Sequence, residues 1–370
     1  MFRIERLTLR LIRLPLVAFF ETSFGRVYDK TFILVALEGD GVQGLGECVA
    51  DVDPYYSSET NVAAWHIIRD FLAGFVLGKT FEHPRDLFHA MKRVRGHHMA
   101  KAAVEMAAWD LAARREGAPL SALLGGTRTA IASGVSIGIQ DSLDDLAAKV
   151  RQELDAGYRR IKIKVKPGWD IEAVEMMRDR FGSIPLMVDA NAAYTINAAG
   201  HLRALDRFGL MMIEQPLDYD DIRDHAALQQ RLTTPICLDE SIHSVRAAED
   251  ALALQACRII NIKPGRLGGH AESIRVHDLC ASHGVPVWHG GMLESGIGRA
   301  HNIHLASLPN FTLPGDIAAS RRYFVPDLIE PPIDVSRDGL VTVPTEPGIG
   351  VTVDWDRVQA ATTETYEVRA

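Results

Sequence analysis

The sequence predicts an α/β barrel, of the modified (β/α)7β TIM-barrel kind, beneath a separate α+β capping domain. Three observations lead there. The charged residues Lys164, Asp189, Glu214, Asp239 and Lys263 each close a short apolar run, and they recur every 24 to 25 positions. That period suits one β-strand plus its return helix. Of the runs IKIK, LMVD, MMIE, ICLD and IINIK, all but the first are mainly apolar rather than alternating, as a parallel sheet covered on both faces requires. Residues 1–125 do not follow this rhythm, and at 370 residues the chain has room for a barrel of roughly 250 plus a second domain.

Taken in order, the capping region opens on two strand-like segments, FRIERLTLRLIRLPL and TFILVALEG, separated by the turn-rich stretch ETSFGRVYD. Gly39-Asp40 before Gly41 marks a hairpin into a third strand, VQGLGECVA. Helical patterns follow over 59–76, 84–94 and 98–115, the last Ala-rich and stopped by Gly117. The barrel is expected over 126–320. SGVSIGI (133–139) is its first strand, and Ser142 caps the helix that follows. RIKIKV, LMVDAN, LMMIEQP, TPICLDES, IINIKP and VPVWHGG supply strands two to seven, and FTLPGD the eighth. Residues 321–370 carry hairpin and strand character and are expected to return to the capping domain.

Composition narrows the function. A net charge of −8 without a Lys/Arg-rich block argues against a nucleic-acid or anionic-membrane partner. Cys48, Cys237, Cys257 and Cys280 show no CxxC spacing and read as reduced thiols of a cytoplasmic protein. The run LIRLPLVAFF is broken by Arg13 and Pro15, so it is neither a signal peptide nor a membrane span.

Charged groups at the carboxyl ends of barrel strands point into one mouth. Asp189, Glu214 and Asp239, on strands three, four and five, would repel one another unless a cation joined them. Oxygen-only ligands select Mg²⁺ first and Mn²⁺ as a substitute. Asn191 and Glu240 stand beside the ligands, placed to support them or to meet substrate. Lys164 and Lys263, on strands two and six, face each other across the mouth. A carboxylate held on the metal has an acidic α-carbon, and an amine can take that proton if burial and nearby cations such as Lys162 lower its pKa. Lys162 and Lys164 alternate on one strand, so both point inward. His289 could be a base, but the neighbouring-strand position that would orient it is Lys263, which favours a packing role. GGMLESGIG (290–298) could offer backbone N–H groups to a substrate anion, or be a plain turn. The segment ETSFG and the YYSSE region could fold over the mouth.

The strings KIK, VDAN, IEQP, LDES and NIKPGR, in this order, resemble the enolase superfamily, muconate lactonizing enzyme subgroup. RIKIKVKPGWD, VDANAAYT, NIKPGRLGGH and GGMLESGIGRAHN resemble in particular the o-succinylbenzoate synthases that also racemise N-succinylamino acids. The resemblance covers essentially the whole chain. It implies Mg²⁺ ligation by Asp189, Glu214 and Asp239, with Lys164 as base on one face, Lys162 supporting it and Lys263 on the other. It implies substrate contacts from Ser136, Asn191, Gly291 and Met292, and gives Arg266, behind Lys263, a part in racemase activity. The reaction implied is dehydration of a cyclohexadiene carboxylate in menaquinone biosynthesis, racemisation, or both, by a dimer or octamer. Another muconate-type cycloisomerase, a dipeptide epimerase and a barrel that only binds are the rivals. PGDIAAS lacks the DxD-type motif of the epimerases, and the complete acid and base set argues against mere binding.

Overall fold

A computed structural model of the chain describes residues 1–370. Strands β1 (Arg6–Thr22), β2 (Gly25–Gly39) and β3 (Val42–Cys48) form an antiparallel sheet. Between β2 and β3, φ is 54° at Asp40 and 76° at Gly41, two successive left-handed residues whose twist suits a tight hairpin. The first hairpin departs from expectation. ETSFGRVYD supplies the ends of both strands, and only Ser23 and Phe24 turn. Cross-strand pairs of Phe20 with Val27 and Glu21 with Arg26 extend the ladder, the latter with a 2.6 Å ion pair.

Helix α1 (His98–Glu116) lies across β3 and is buried along most of its length. Its alanines and the glycines of β3 permit that close approach. A Cβ on Gly46 would stand on the carbonyl oxygen of Ala103 and 2.8 Å from the amide nitrogen of Ala107. Backbone cannot swing aside as a side-chain tip does. Gly46→Ala is therefore expected to cost about 2 kcal/mol or more, read as a lowered midpoint in thermal unfolding. An unchanged midpoint would mean that α1 slides freely on the sheet.

Seven parallel strands follow in sequence order: β4 (Val135–Ile137), β5 (Ile161–Lys164), β6 (Leu186–Asp189), β7 (Ile213–Glu214), β8 (Ile236–Leu238), β9 (Ile259–Ile262) and β10 (Val287–His289). The Ser142 hydroxyl accepts the Asp145 N–H at 3.1 Å and caps α2 (Leu143–Asp155) as its sequence suggests. FTLPGD does not form a regular eighth strand. Pro314 has no N–H to give a ladder. The segment instead bridges Phe311 to Val287 and Gly315 to Ser133, with the Asp316 N–H donating to His289 O at 2.8 Å. It thus joins the last strand to the first and closes the ring.

Two carboxylates of the capping sheet and α1 fasten cap to barrel by satisfying helix starts. Glu105 accepts from the His270 and Ala271 N–H groups at 2.8 and 2.9 Å, at the start of α3 (His270–Ser282). Glu47 accepts from the Ser295 and Gly298 N–H groups, both at 3.1 Å, at the start of α4 (Gly296–Ala306). Strand β11 (Thr362–Arg369) pairs antiparallel with β1, Arg369 opposite Arg6. All four cysteines are buried and unpaired, and no helix is long and apolar enough to cross a membrane.

Candidate active site

The short parallel strands deliver their charged ends to one region. In register, Lys164 lies beside Asp189, and Asp189 beside Glu214. A cavity of about 410 Å³ opens above them, lined by Lys164, Lys263, Asn191, Gly291 and Met292 from the barrel. The capping domain supplies the other wall, including Phe24, Lys30, Asp51, Tyr55 and Tyr56. The rings of Phe24 and Tyr55 come to 6.3 Å, so the first-hairpin turn and the segment after β3 meet over the mouth.

Each carboxylate is buried and each faces a cation. Lys164 Nζ donates to Asp189 at 2.5 Å and to Asn191 Oδ1 at 2.7 Å. Lys162 Nζ reaches Glu214 at 2.9 Å and Asp316 at 2.6 Å, and sits 4.8 Å from the centre of the Trp288 ring. Lys263 Nζ donates to Asp239 at 2.7 Å and to Tyr56 Oη at 3.0 Å. Arg266, on the Lys263 side as the resemblance implies, pairs with Asp239 and donates to the Ile242 carbonyl at 2.6 Å. Asn191 adopts φ 42°, a left-handed conformation an asparagine tolerates. Its Nδ2 donates to Glu240 at 2.9 Å.

Burial alone would pull Lys162 and Lys263 down, but their carboxylate partners, Asp316 and Glu214 beside Lys162 and Asp239 beside Lys263, outweigh it and hold both above the ordinary lysine value. The acids divide: against the pull of burial, Lys164 and Lys162 hold Asp189, and Lys263 and Arg266 hold Asp239, below the usual carboxylate range. Burial, then the neighbouring Asp189 and Asp239 charges, push Glu214 up to about 7. Burial with Asp239 and Asp189 pushes Glu240 up to about 8.

No three acidic, histidine or cysteine side chains gather as a ready-made cage for an ion, and ammonium groups pair with the three carboxylates. The donor set nonetheless fits a hard divalent cation. Asp189, Glu214 and Asp239 come from adjacent strand ends and are all buried, and burial together with the Asp189 and Asp239 charges raises Glu214. Glu240 Oε2 lies buried without a partner. A cation held by these oxygens would relieve the repulsion between these charges.

Other expectations divide. Ser136 sits on β4 beside Lys162, its hydroxyl buried without a partner, and it does not reach the cavity wall. In the loop after β10, Gly291 and Met292 line the cavity, a Cβ on Gly290 would fall 2.5 Å from Lys263 Cε, and the Met292 N–H is taken by Glu294 at 2.9 Å. His289 is buried and stacked on Phe311 at 6.0 Å, neither ring nitrogen is partnered, and burial takes its pKa down to about 3. That is a packing histidine. Sequence reasoning missed Asp316, Asn261 and Tyr56. Asn261 Nδ2 donates to Glu214 at 2.6 Å. Asp316 ends an apolar run just as the five charged residues do, and that signal was available.

Family comparisons agree with this geometry. Residues 8–125 match the mandelate racemase/muconate lactonizing enzyme N-terminal domain, and residues 145–357 the enolase C-terminal domain-like family. The chain is 53% identical over 360 residues to an o-succinylbenzoate synthase of Geobacillus kaustophilus, covering 97% of this chain and 96% of that one. It is 48% identical over 349 residues to an N-succinylamino acid racemase of Thermus thermophilus, covering 94% of each. A crystal structure of an enolase superfamily member from Listeria innocua superposes with a TM-score of 0.96 at 40% identity, covering 100% of both chains. The chain is an enzyme of the enolase superfamily, in its mandelate racemase/muconate lactonizing enzyme branch.

Proposed function

We propose that this enzyme removes the proton α to a substrate carboxylate, as an o-succinylbenzoate synthase, an N-succinylamino acid racemase, or both. The observation that carries the proposal is the pair of lysine amines, Lys164 and Lys263, lining one cavity above three buried carboxylates. Relatives bearing each of the two names match nearly the full chain. Asp189, Glu214 and Asp239 would hold Mg²⁺, or Mn²⁺ in its place, whose charge offsets that developing on the substrate carboxylate.

Lys164, as the free amine, takes the α-proton and leaves an enediolate. In dehydration the resulting ammonium returns that proton to the departing hydroxide, so one water leaves and Lys164 is regenerated. Lys263 stays protonated and places its charge beside the enediolate. In racemisation Lys263 instead delivers its proton to the opposite face, and the next turnover runs in reverse. Lys162, held by Asp316 and Glu214, keeps its charge on the same strand as Lys164.

The test is incubation in D₂O with Mg²⁺ and N-succinyl amino acids, beside parallel kinetics on 2-succinyl-6-hydroxy-2,4-cyclohexadiene-1-carboxylate. Deuterium is expected at the α-carbon, or water loss from the diene, or both. Stripping with EDTA is expected to abolish either activity and added Mg²⁺ to restore it. Neither deuterium nor dehydration with metal present would overturn the proposal.

A further inference from the structure

The two lysines are not held alike. The side-chain partners of Lys164 are Asp189 and Asn191, both on the barrel. Lys263 has one barrel partner, Asp239, which Arg266 also claims. Its other partner crosses from the capping domain: the Tyr56 hydroxyl, 207 positions earlier in the chain, accepts from Nζ at 3.0 Å. The ammonium also lies 4.5 Å from the centre of the Tyr56 ring, within cation–π range. The same hydroxyl donates to Asp239 at 3.1 Å and is met by Arg266 at 3.4 Å. Tyr56 is buried, and it belongs to a segment, with Asp51, Val52, Asp53 and Tyr55, that walls the cavity.

We infer that Tyr56 is a positioning residue for Lys263 alone, so that the capping domain controls proton transfer on one face of the substrate and not on the other. Seating of the segment around Tyr56 completes the Lys263 side, whereas the side-chain partners of Lys164 are all on the barrel. The cap bonds to those partners only through Ser23 Oγ, which donates to the Asn191 carbonyl at 3.1 Å. A lysine stem has four rotatable bonds, and fixing its tip at one point needs partners from more than one direction. Asp239 approaches from the strand and Tyr56 from the cap. Without the hydroxyl, the amine keeps its carboxylate and loses the direction that aims it into the cavity.

This inference rests on the proposed racemisation, and it is tested by following each face separately. N-succinyl-L- and N-succinyl-D-phenylalanine are incubated in D₂O with Mg²⁺, and α-deuterium uptake is followed for each before appreciable racemisation. Lys164→Ala and Lys263→Ala assign which enantiomer each amine serves. Tyr56→Phe keeps the ring and its packing while removing the hydroxyl. It is expected to slow exchange of the Lys263-served enantiomer roughly tenfold, the size of one charge-assisted hydrogen bond, and to leave the other within about twofold. Tyr56→Leu, which also removes the ring, is expected to widen that ratio. Thermal unfolding of both variants checks that they are folded. Equal slowing of both enantiomers, as general damage would give, overturns the inference, and so does no slowing of either. Wild-type enzyme that exchanges neither enantiomer defeats the racemase reading itself and the inference with it.

Discussion

Lys164→Ala is expected to reduce α-proton abstraction at least about a thousandfold, within the range that a positioned acid–base group supplies. The residue is buried at the end of β5, and the nearest amine on its own strand, Lys162, is held by Glu214 and Asp316. The loss is expected in kcat for dehydration, which starts at Lys164, and for racemisation, which needs an amine on each face; only α-proton exchange of the Lys263-served enantiomer is expected to survive. Lys164→Arg is expected to fail as completely, because a guanidinium stays protonated and cannot accept a proton. Steady-state kinetics on both substrate classes, with circular dichroism to confirm folding, makes the check. A near wild-type rate for either variant would remove Lys164 from the reaction.

The second large effect is expected at Asp316. This carboxylate joins two buried cations, reaching Lys162 at 2.6 Å and Arg160 at 2.7 Å. Burial by itself would raise its pKa, but Arg160 and Lys162 outweigh burial and hold it below the usual carboxylate range. Asp316→Asn leaves two buried positive charges facing a neutral amide. Breaking a buried pair in this way typically costs about 3 kcal/mol or more. The sign with pH follows from linkage. A carboxyl whose folded pKa is depressed stabilises the fold above its unfolded value, about 3.9, and that contribution is lost as pH falls through the folded value. The stability gap between wild type and Asp316→Asn is therefore expected to be full at neutral pH and to shrink below about pH 4. Denaturant titrations across that range measure it. A gap that is absent at pH 7, or unchanged into acid, contradicts the assigned role. Activity is expected to fall as well, because Lys162 loses one of the groups that keep it in place.

The barrel was legible because its signal is local. Each strand is a short apolar run ending in a charge, and burial on both faces enforces that pattern. The same rule, followed to FTLPGD, would have led to Asp316. The signal is weaker there because Pro314 and Gly315 interrupt the apolar run just before the acid. Tyr56 is a different case. It lies in a loop of the other domain, and its meeting with Lys263 depends on how two folded bodies dock, which no local period encodes. The lysine environments are legible only in part, for a related reason. Burial was foreseeable from the apolar runs, but the outcome depends on distances of 2.5 to 2.9 Å between amines and carboxylates, and those arise only once neighbouring strands are in register. The first hairpin shows the limit at the level of fold, since ETSFGRVYD has turn composition yet is drawn into the ladder by its cross-strand partners.

The pairing of β11 with β1 has a consequence in time. A ribosome makes Arg6 long before Arg369, the residue it faces in the sheet. At about ten residues per second, roughly half a minute separates the two. Throughout that interval the outer edge of β1 has its hydrogen-bonding groups bare, an invitation to pair with other chains. The capping sheet, begun first, is finished last, and the nascent enzyme must keep that edge to itself until its final strand arrives.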